Sequence, residues 1–290
     1  MTSVLRSRVL LPLALVGVLG CGEDEPTPPA TLTVDIPVVA RVGTQPFACG
    51  SVYTNVGTTK TTYEPMDFRV YVHDVRLVTS GGQEVPVALT DDGVWQREGV
   101  VLLDFANKDG LCANGTAGMN LSIKGTVPSD TYAGLRFRLG VPETLNHGNV
   151  STAPAPLGDQ SLFWHWRSGY LFTRIEGRTA GLPEHVMHLG STDCAALPSG
   201  DPNGTAGCAY NNRPDVSLDG FKVGTNQVVL DLGALFAGSN LDVNASGPNT
   251  AVGCMSSQGD VDCAPIFERM GLAFGAQAAN PAAQSFIRAE

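Results

Sequence analysis

The run "MDFRVYVHDVRLV", residues 66–78, limits what the chain can fold into more than any other stretch. Phe68, Val70 and Val72 recur at every second position, so an extended strand carries them on one face. Beyond His73-Asp74 the apolar phase moves to Val75 and Leu77. A period of two that slips by one residue marks a β-bulge. The same alternation returns in "GLRFRLGVP", where Leu135, Phe137 and Leu139 oppose Arg136 and Arg138, and in "NQVVLDLG" through Val228, Leu230 and Leu232. "TLTVDIPVVA" opens the series. Turn clusters such as "SGGQ", "DDG", "NKDG" and "PSD" separate the runs at short intervals, in a chain with 34 glycines and 19 prolines. Helix signals are confined to "LGALFAG" and "APIFERMGLAFG". The pattern predicts an all-β chain: an antiparallel β-sandwich with long disulfide-stapled loops and one or two short helices, forming a single domain over 31–290. The stretch from Ala180 to Asp215 reads as loop-rich.

Cysteine usage and the N-terminus set the compartment. "MTSVLRSRVLLPLALVGVLGC" has a basic start, an apolar run from Val9 to Leu19 too short to span a bilayer comfortably, and a small residue before Cys21. "VLGC" fits the lipobox of a bacterial lipoprotein. The expected product loses residues 1–20, carries lipid on Cys21, and is tethered by the polar, Pro-rich segment 21–30. That places it in the periplasm or at the cell surface, anchored to a membrane. An ordinary signal peptide with an incidental cysteine is the alternative. Six cysteines remain, Cys49, Cys112, Cys194, Cys208, Cys254 and Cys263, an even set suited to three disulfides in an oxidising compartment. Short loops favour 194–208 and 254–263, which leaves 49–112. With no CxxC, a zinc knuckle or thioredoxin-like site is not expected, and with no CxxCH the chain binds no c-type haem of its own.

The net charge is −10, and losing Arg6 and Arg8 with the leader makes it two units more negative. No Lys/Arg cluster or basic stripe is present, so nucleic acid is not an expected partner. GxSxG, HExxH, the P-loop and the dinucleotide fingerprint are missing, and the carboxylates are scattered. The chain is therefore not expected to be an enzyme.

The histidines and tryptophans carry more. Four of five histidines, His147, His165, His185 and His188, lie between 147 and 188, with His73 apart. Neutral imidazole suits copper, zinc or nickel. "EHVMHLG" spaces His185 and His188 by three, on opposite faces of a strand or on one face of a helical turn. "SLFWHWRSGYLF", residues 161–172, sets Trp164 and Trp166 on either side of His165. In an extended strand both indoles share one face. They read as core, or as readily oxidised rings beside metal-binding histidines, since kynurenine retains an aromatic amine. Trp95 lies in a separate turn-and-strand region.

"PFACG", "FRVYVHDVRLV", "VLLDF", "FRLGVPETLNH", "LFWHWRSGYLFTRI", "HLGSTDC" and "GCMSSQGDVDCAPIF" occur in an order that resembles the MbnP-like family, also called the metallo-mystery pair four-Cys proteins. The resemblance runs from about residue 31 to 272. It implies a β-sandwich that binds copper and is the protein substrate, not the catalyst, of a MauG-like dihaem cytochrome c peroxidase that oxidises a tryptophan. Carried over by motif, His147 of "LNH" and His188 of "HLGS" are the foremost ligand candidates, with His165 and His185 behind them. Trp164 and Trp166 are the candidate oxidation sites. A carbohydrate- or protein-binding surface module with exposed stacking rings is the alternative, and a hydrolase with an unfamiliar site a more distant one.

Overall fold

The computed structural model describes residues 30–200 and 204–290. The signal peptide expected over 1–20, the lipid site at Cys21 and the tether expected over 21–30, apart from Ala30, lie outside the described residues. Twelve strands build and position the candidate site: β1 (Thr31–Val42), β2 (Thr61–Thr79), β3 (Val100–Asp104), β4 (Ser122–Pro128), β5 (Tyr132–Leu139), β6 (Phe163–His165), β7 (Gly169–Tyr170), β8 (Thr173–Thr179), β9 (His185–Leu189), β10 (Asp215–Asp219), β11 (Val228–Asp231) and β12 (Gly253–Cys254). One sheet has the order Ile287–Ala289, β11, β1, β4, Ala88–Leu89. The other runs β10, β5, β2, β8, β9, β12, with β3 added on β2. An apolar core that includes Val34, Ile36, Phe68, Val70, Ile175, Met187, Leu230 and Phe286 draws on both sheets. The all-β sandwich is borne out.

The 19 residues of β2 organise the second sheet. One edge pairs with β8 over Tyr63–Val70 and then with β5 over Val72–Thr79. The handover falls at Tyr71, whose N–H donates to the Phe172 carbonyl while its own carbonyl accepts from Gly140. Gly140 has φ +104°, and a Cβ there would lie 2.7 Å from the Phe172 ring, so two constraints call for glycine. The other edge pairs with β3 over Arg69–His73. The bulge read from the sequence is present: three steps from His73 to Arg76 oppose two from Arg138 to Arg136, and Asp74 takes φ +53°.

Some details differ from the sequence reading. Two pairings are parallel, β1 with β11 and β9 with β12, so both sheets are mixed. Both pairings join segments far apart in the sequence, which frees them from hairpin geometry. The alternation of "NQVVLDLG" stops at Asp231, whose carboxylate caps the N–H groups of Gly233 and Ala234. Leu232 therefore begins the short helix Leu232–Leu235. Ala264–Met270 is helical as expected. A further turn of helix, Glu143–Asn146, forms outside the two segments that carry helix signals in the sequence. The loop-rich stretch after Ala180 contains β9, every residue of which is buried. The disulfides pair as favoured: 49–112, 194–208 and 254–263.

Candidate metal centre

Strand register assembles a row of polar side chains on the face of the second sheet that turns away from the apolar core. Asp104 of β3 stands opposite Arg69 of β2, Arg69 opposite Arg174 of β8, and Arg174 opposite His188 of β9. Two residues along, Asp67 stands opposite Glu176. Cross-strand neighbours on one face are in contact range, so opposite charges pair there. Arg69 donates to Asp67 from Nε (2.8 Å) and Nη2 (2.6 Å). Arg174 Nε donates to Glu176 Oε1 (2.7 Å), and the same oxygen lies 2.7 Å from His188 Nε2.

Loops roof this face and remove it from water. Arg69 Nη1 reaches Asp159 (2.7 Å) and Ser161 Oγ (3.0 Å), and Arg174 Nη1 donates to the Ser161 carbonyl (2.7 Å). Gly115 packs over the Arg69 guanidinium, where a Cβ would come within 3.2 Å of Nη1. Asn114 donates to Glu176 Oε2. Asp67, Arg69, Asp104 and Glu176 are all at most 2% exposed. Burial pushes the Asp67 carboxyl up despite its Arg69 bonds, and pushes Asp104 up to about 7. Burial also works against ionised Glu176, but bonds from His188 and Arg174 outweigh it and hold that carboxyl below its usual value.

The roof segment then enters the hairpin β6–β7, which carries the tryptophans. The Trp164 ring lies against Gly190, where a Cβ would be 2.6 Å from Cζ3. Gly190 is two residues beyond His188, just past the end of β9. Trp164 Nε1 and His188 Nδ1 are both buried, and neither has a hydrogen-bond partner. Trp166 does not share the face of Trp164, as an extended strand requires. The strand ends at His165, and Trp166 sits in the turn with its ring edge-on to Phe163, centroids 6.0 Å apart. Neither ring forms part of the flat, exposed pair that a sugar-stacking platform needs. Trp95 packs apart from both, beside Gly118.

The remaining histidines fall in different places. His147 follows the short helix Glu143–Asn146, and its Nδ1 donates to the Trp166 carbonyl (3.1 Å). That leaves Nε2 as a lone pair, with Asn146 Nδ2 at 3.2 Å, Glu143 Oε1 at 3.4 Å and Cys208 Sγ at 3.8 Å. Glu143, His147 and Cys208 form a candidate cation cluster, although Cys208 is bonded to Cys194 and offers no thiolate. Asn146 is fully buried and joins this helix to the Tyr170 N–H and to Ser191, so the His147 loop, the tryptophan hairpin and the end of β9 meet. His165 is exposed, and its Nδ1 accepts from the N–H groups of Arg167 and Ser168, capping its own turn. His185 points to the opposite face of β9 from His188 and packs edge-on to Phe236. Burial lowers its pKa to about 4, with Asp242 and Asp260 opposing weakly. His73 is buried at the bulge, bonded through Nδ1 to the Gly140 carbonyl, and burial lowers its pKa also.

Sequence reasoning therefore found His188, which joins the polar face, and Trp164, which packs on Gly190 just beyond it, and missed Asp67, Arg69, Asp159, Arg174 and Glu176. The available signal was the alternation itself: "DFRV" and "TRIEG" put charges at every second position of strands whose other positions are apolar.

A family model described as MbnP matches residues 31–256. Among solved structures the chain is similar to MbnP from Methylosinus trichosporium, at 30% identity and a TM-score of 0.78, over 90% of this chain and 98% of that one. No curated protein matches it.

Proposed function

The chain belongs to the MbnP family, and from that premise we propose that it is an exported, lipid-anchored copper-binding protein whose Trp164 is oxidised to kynurenine by a MauG-like dihaem peroxidase. It is the substrate of that reaction rather than its catalyst. The observation that carries the reading is the pair of buried, unpartnered nitrogens, His188 Nδ1 and Trp164 Nε1, the indole resting against Gly190 two residues beyond His188. Buried polar atoms without partners are rare, because leaving one unpaired costs about 1–3 kcal/mol. A bound ion relieves that cost.

The donor set fits copper. His188 offers an imidazole nitrogen, and its other nitrogen rests on a carboxylate, as metal-bound histidines commonly do. His147 offers the second imidazole through Nε2. Copper, when bound, supplies a one-electron redox centre. The protein's own residues hold the donors, shield them from water under the 159–166 segment, and hold Trp164 against Gly190. Two oxygen atoms, from two peroxides reduced to water, cleave the C2–C3 bond to N-formylkynurenine, and hydrolysis by one water releases C2 as formate and leaves the former Nε1 as an aromatic amine. Peroxide, acting through the dihaem partner, supplies the oxidising equivalents. That nitrogen has no acceptor to satisfy in the unmodified protein, which favours Trp164 over Trp166.

Co-expression with the peroxidase, followed by tandem mass spectrometry of the 161–172 peptide, tests the modification. The expected mass change is one oxygen gained and one carbon lost, on Trp164. Copper per chain should fall in His188→Ala and in His147→Ala. Both tryptophans intact after turnover with peroxide, or unchanged copper in both variants, overturns the reading. Cys21→Ser should move the protein from the membrane to the soluble fraction.

A further inference from the structure

We infer that Glu176 is a positioning residue that fixes His188 as its Nε2–H tautomer and so dedicates Nδ1 to a metal ion. The inference rests on the copper reading above for the identity of the ion, but its geometry does not depend on which metal binds. Glu176 Oε1 receives Arg174 Nε and lies 2.7 Å from His188 Nε2, while Oε2 receives the Asn114 amide. A carboxylate ion-paired to a guanidinium has no hydrogen to give, so the proton of the histidine bond sits on Nε2. The neutral ring then carries its lone pair on Nδ1, the nitrogen that is buried with no other partner.

The carboxylate cannot easily turn away. Arg174 is itself held by the Ser161 carbonyl, and Asn114 is two residues from Cys112, which the 49–112 disulfide ties down. Both oxygens are thus fixed from the roof as well as from the sheet. The same contacts join His188 to the segment leading into Trp164, so the imidazole and the indole are set by one network. Exchange of such a carboxylate for a group that does not hold the ring lowers metal affinity by about 10–100-fold.

Long-range proton–nitrogen NMR on the metal-free protein reads the tautomer without copper or peroxidase. The expected spectrum shows His188 protonated at Nε2 and bare at Nδ1, with the preference lost in Glu176→Ala. Competition titration with Cu(I) and a chromophoric chelator should show affinity about 10–100-fold weaker in Glu176→Ala. Should Glu176→Ala fail to fold, Glu176→Gln keeps the volume and removes the charge, and an affinity about tenfold weaker is expected. An Nδ1–H tautomer in the wild type overturns the inference. So does wild-type affinity in the folded Glu176 variant when His188→Ala abolishes binding. A wild type that binds no copper yet shows the Nε2–H tautomer would defeat the copper reading and leave the positioning role standing.

Discussion

His185 and His188 leave the same strand three residues apart, and the two faces of the sheet treat them by opposite means. On the inner face His185 meets Phe236 and no hydrogen-bond partner at Nδ1, and burial keeps it neutral down to about pH 4. On the outer face His188 meets Glu176, one member of a charged row in which Arg69 pairs with Asp67 and Asp159, and Arg174 with Glu176 and Asp67. Both faces exclude water, the inner by packing and the outer by pairing under a roof. A face that excludes water and keeps polar atoms can present a donor; one that excludes water with apolar side chains can only hold the fold. That difference is why the proposed reading puts the metal on His188 rather than on His185.

The two faces should part most widely when a partner in the charged row is removed. Arg69→Ala takes both short hydrogen bonds from the fully buried Asp67, leaving it only Arg174 Nε at 3.3 Å, and should destabilise by about 3–5 kcal/mol. Replacing Asp67 and Arg69 together by leucine should recover much of that loss. Ile175→Val on the inner face should cost only about 0.5–1.5 kcal/mol. Urea denaturation measures all three, and an Arg69→Ala loss no larger than that of Ile175→Val would show that the outer face is not sealed.

The disulfides give the next largest contrast. Cys49–Cys112 closes a separation of 63 residues and holds the loop bearing Asn114 and Gly115 on the outer face. Cys254–Cys263 spans only 9 and ties down β12, the edge neighbour of β9. Loop-closure entropy puts their removal at about 4 and about 2.5 kcal/mol. Paired Cys→Ser variants compared by chemical denaturation should keep that order, and only the 49–112 pair should also weaken copper binding.

Acid separates the faces through opposing contributions that the wild type partly hides. His185 is held at about 4 against 6.5 in the unfolded chain, so the unfolded state binds the extra proton and stability is lost as pH falls from 6.5 to 4. Asp104 is raised from 3.8 to about 7, so the native state binds the extra proton there and stability is gained over nearly the same interval. Asp67, also raised, adds to the second trend. In the wild type these two contributions oppose each other between pH 6.5 and 4. Asp104→Asn should uncover a loss on the order of 3 kcal/mol, and His185→Phe a slope of the opposite sign. Equal slopes in the two variants would mean that the faces do not differ in this way.

Much of this molecule could be read from the order of its residues. Period-two alternation located β1, β2, β5 and β11, its slip located the bulge at His73-Asp74, and the short spacings of 194–208 and 254–263 selected the disulfides. These are local facts, set by steps of one or two residues along a strand or by the entropy of closing short loops. His147, His188 and Trp164 were in view as well, through their motifs.

Which of them belong together depends on contacts between distant segments. The row Asp104–Arg69–Arg174–His188 draws one residue from each of four strands, and strand register, which a slip of one residue would invert, aligns them. Trp166 lost its place beside Trp164 because the chain turned one residue earlier than the alternation implied. Burial of charge beneath loops from positions 114 and 159 depends on contacts across the fold, 62 residues for Asn114 with Glu176 and 90 for Asp159 with Arg69. Strands, turns and cysteine pairs follow from short-range order along the chain. The roofed polar face came from packing, because pairing energies between buried charges exist only once distant segments have closed over them.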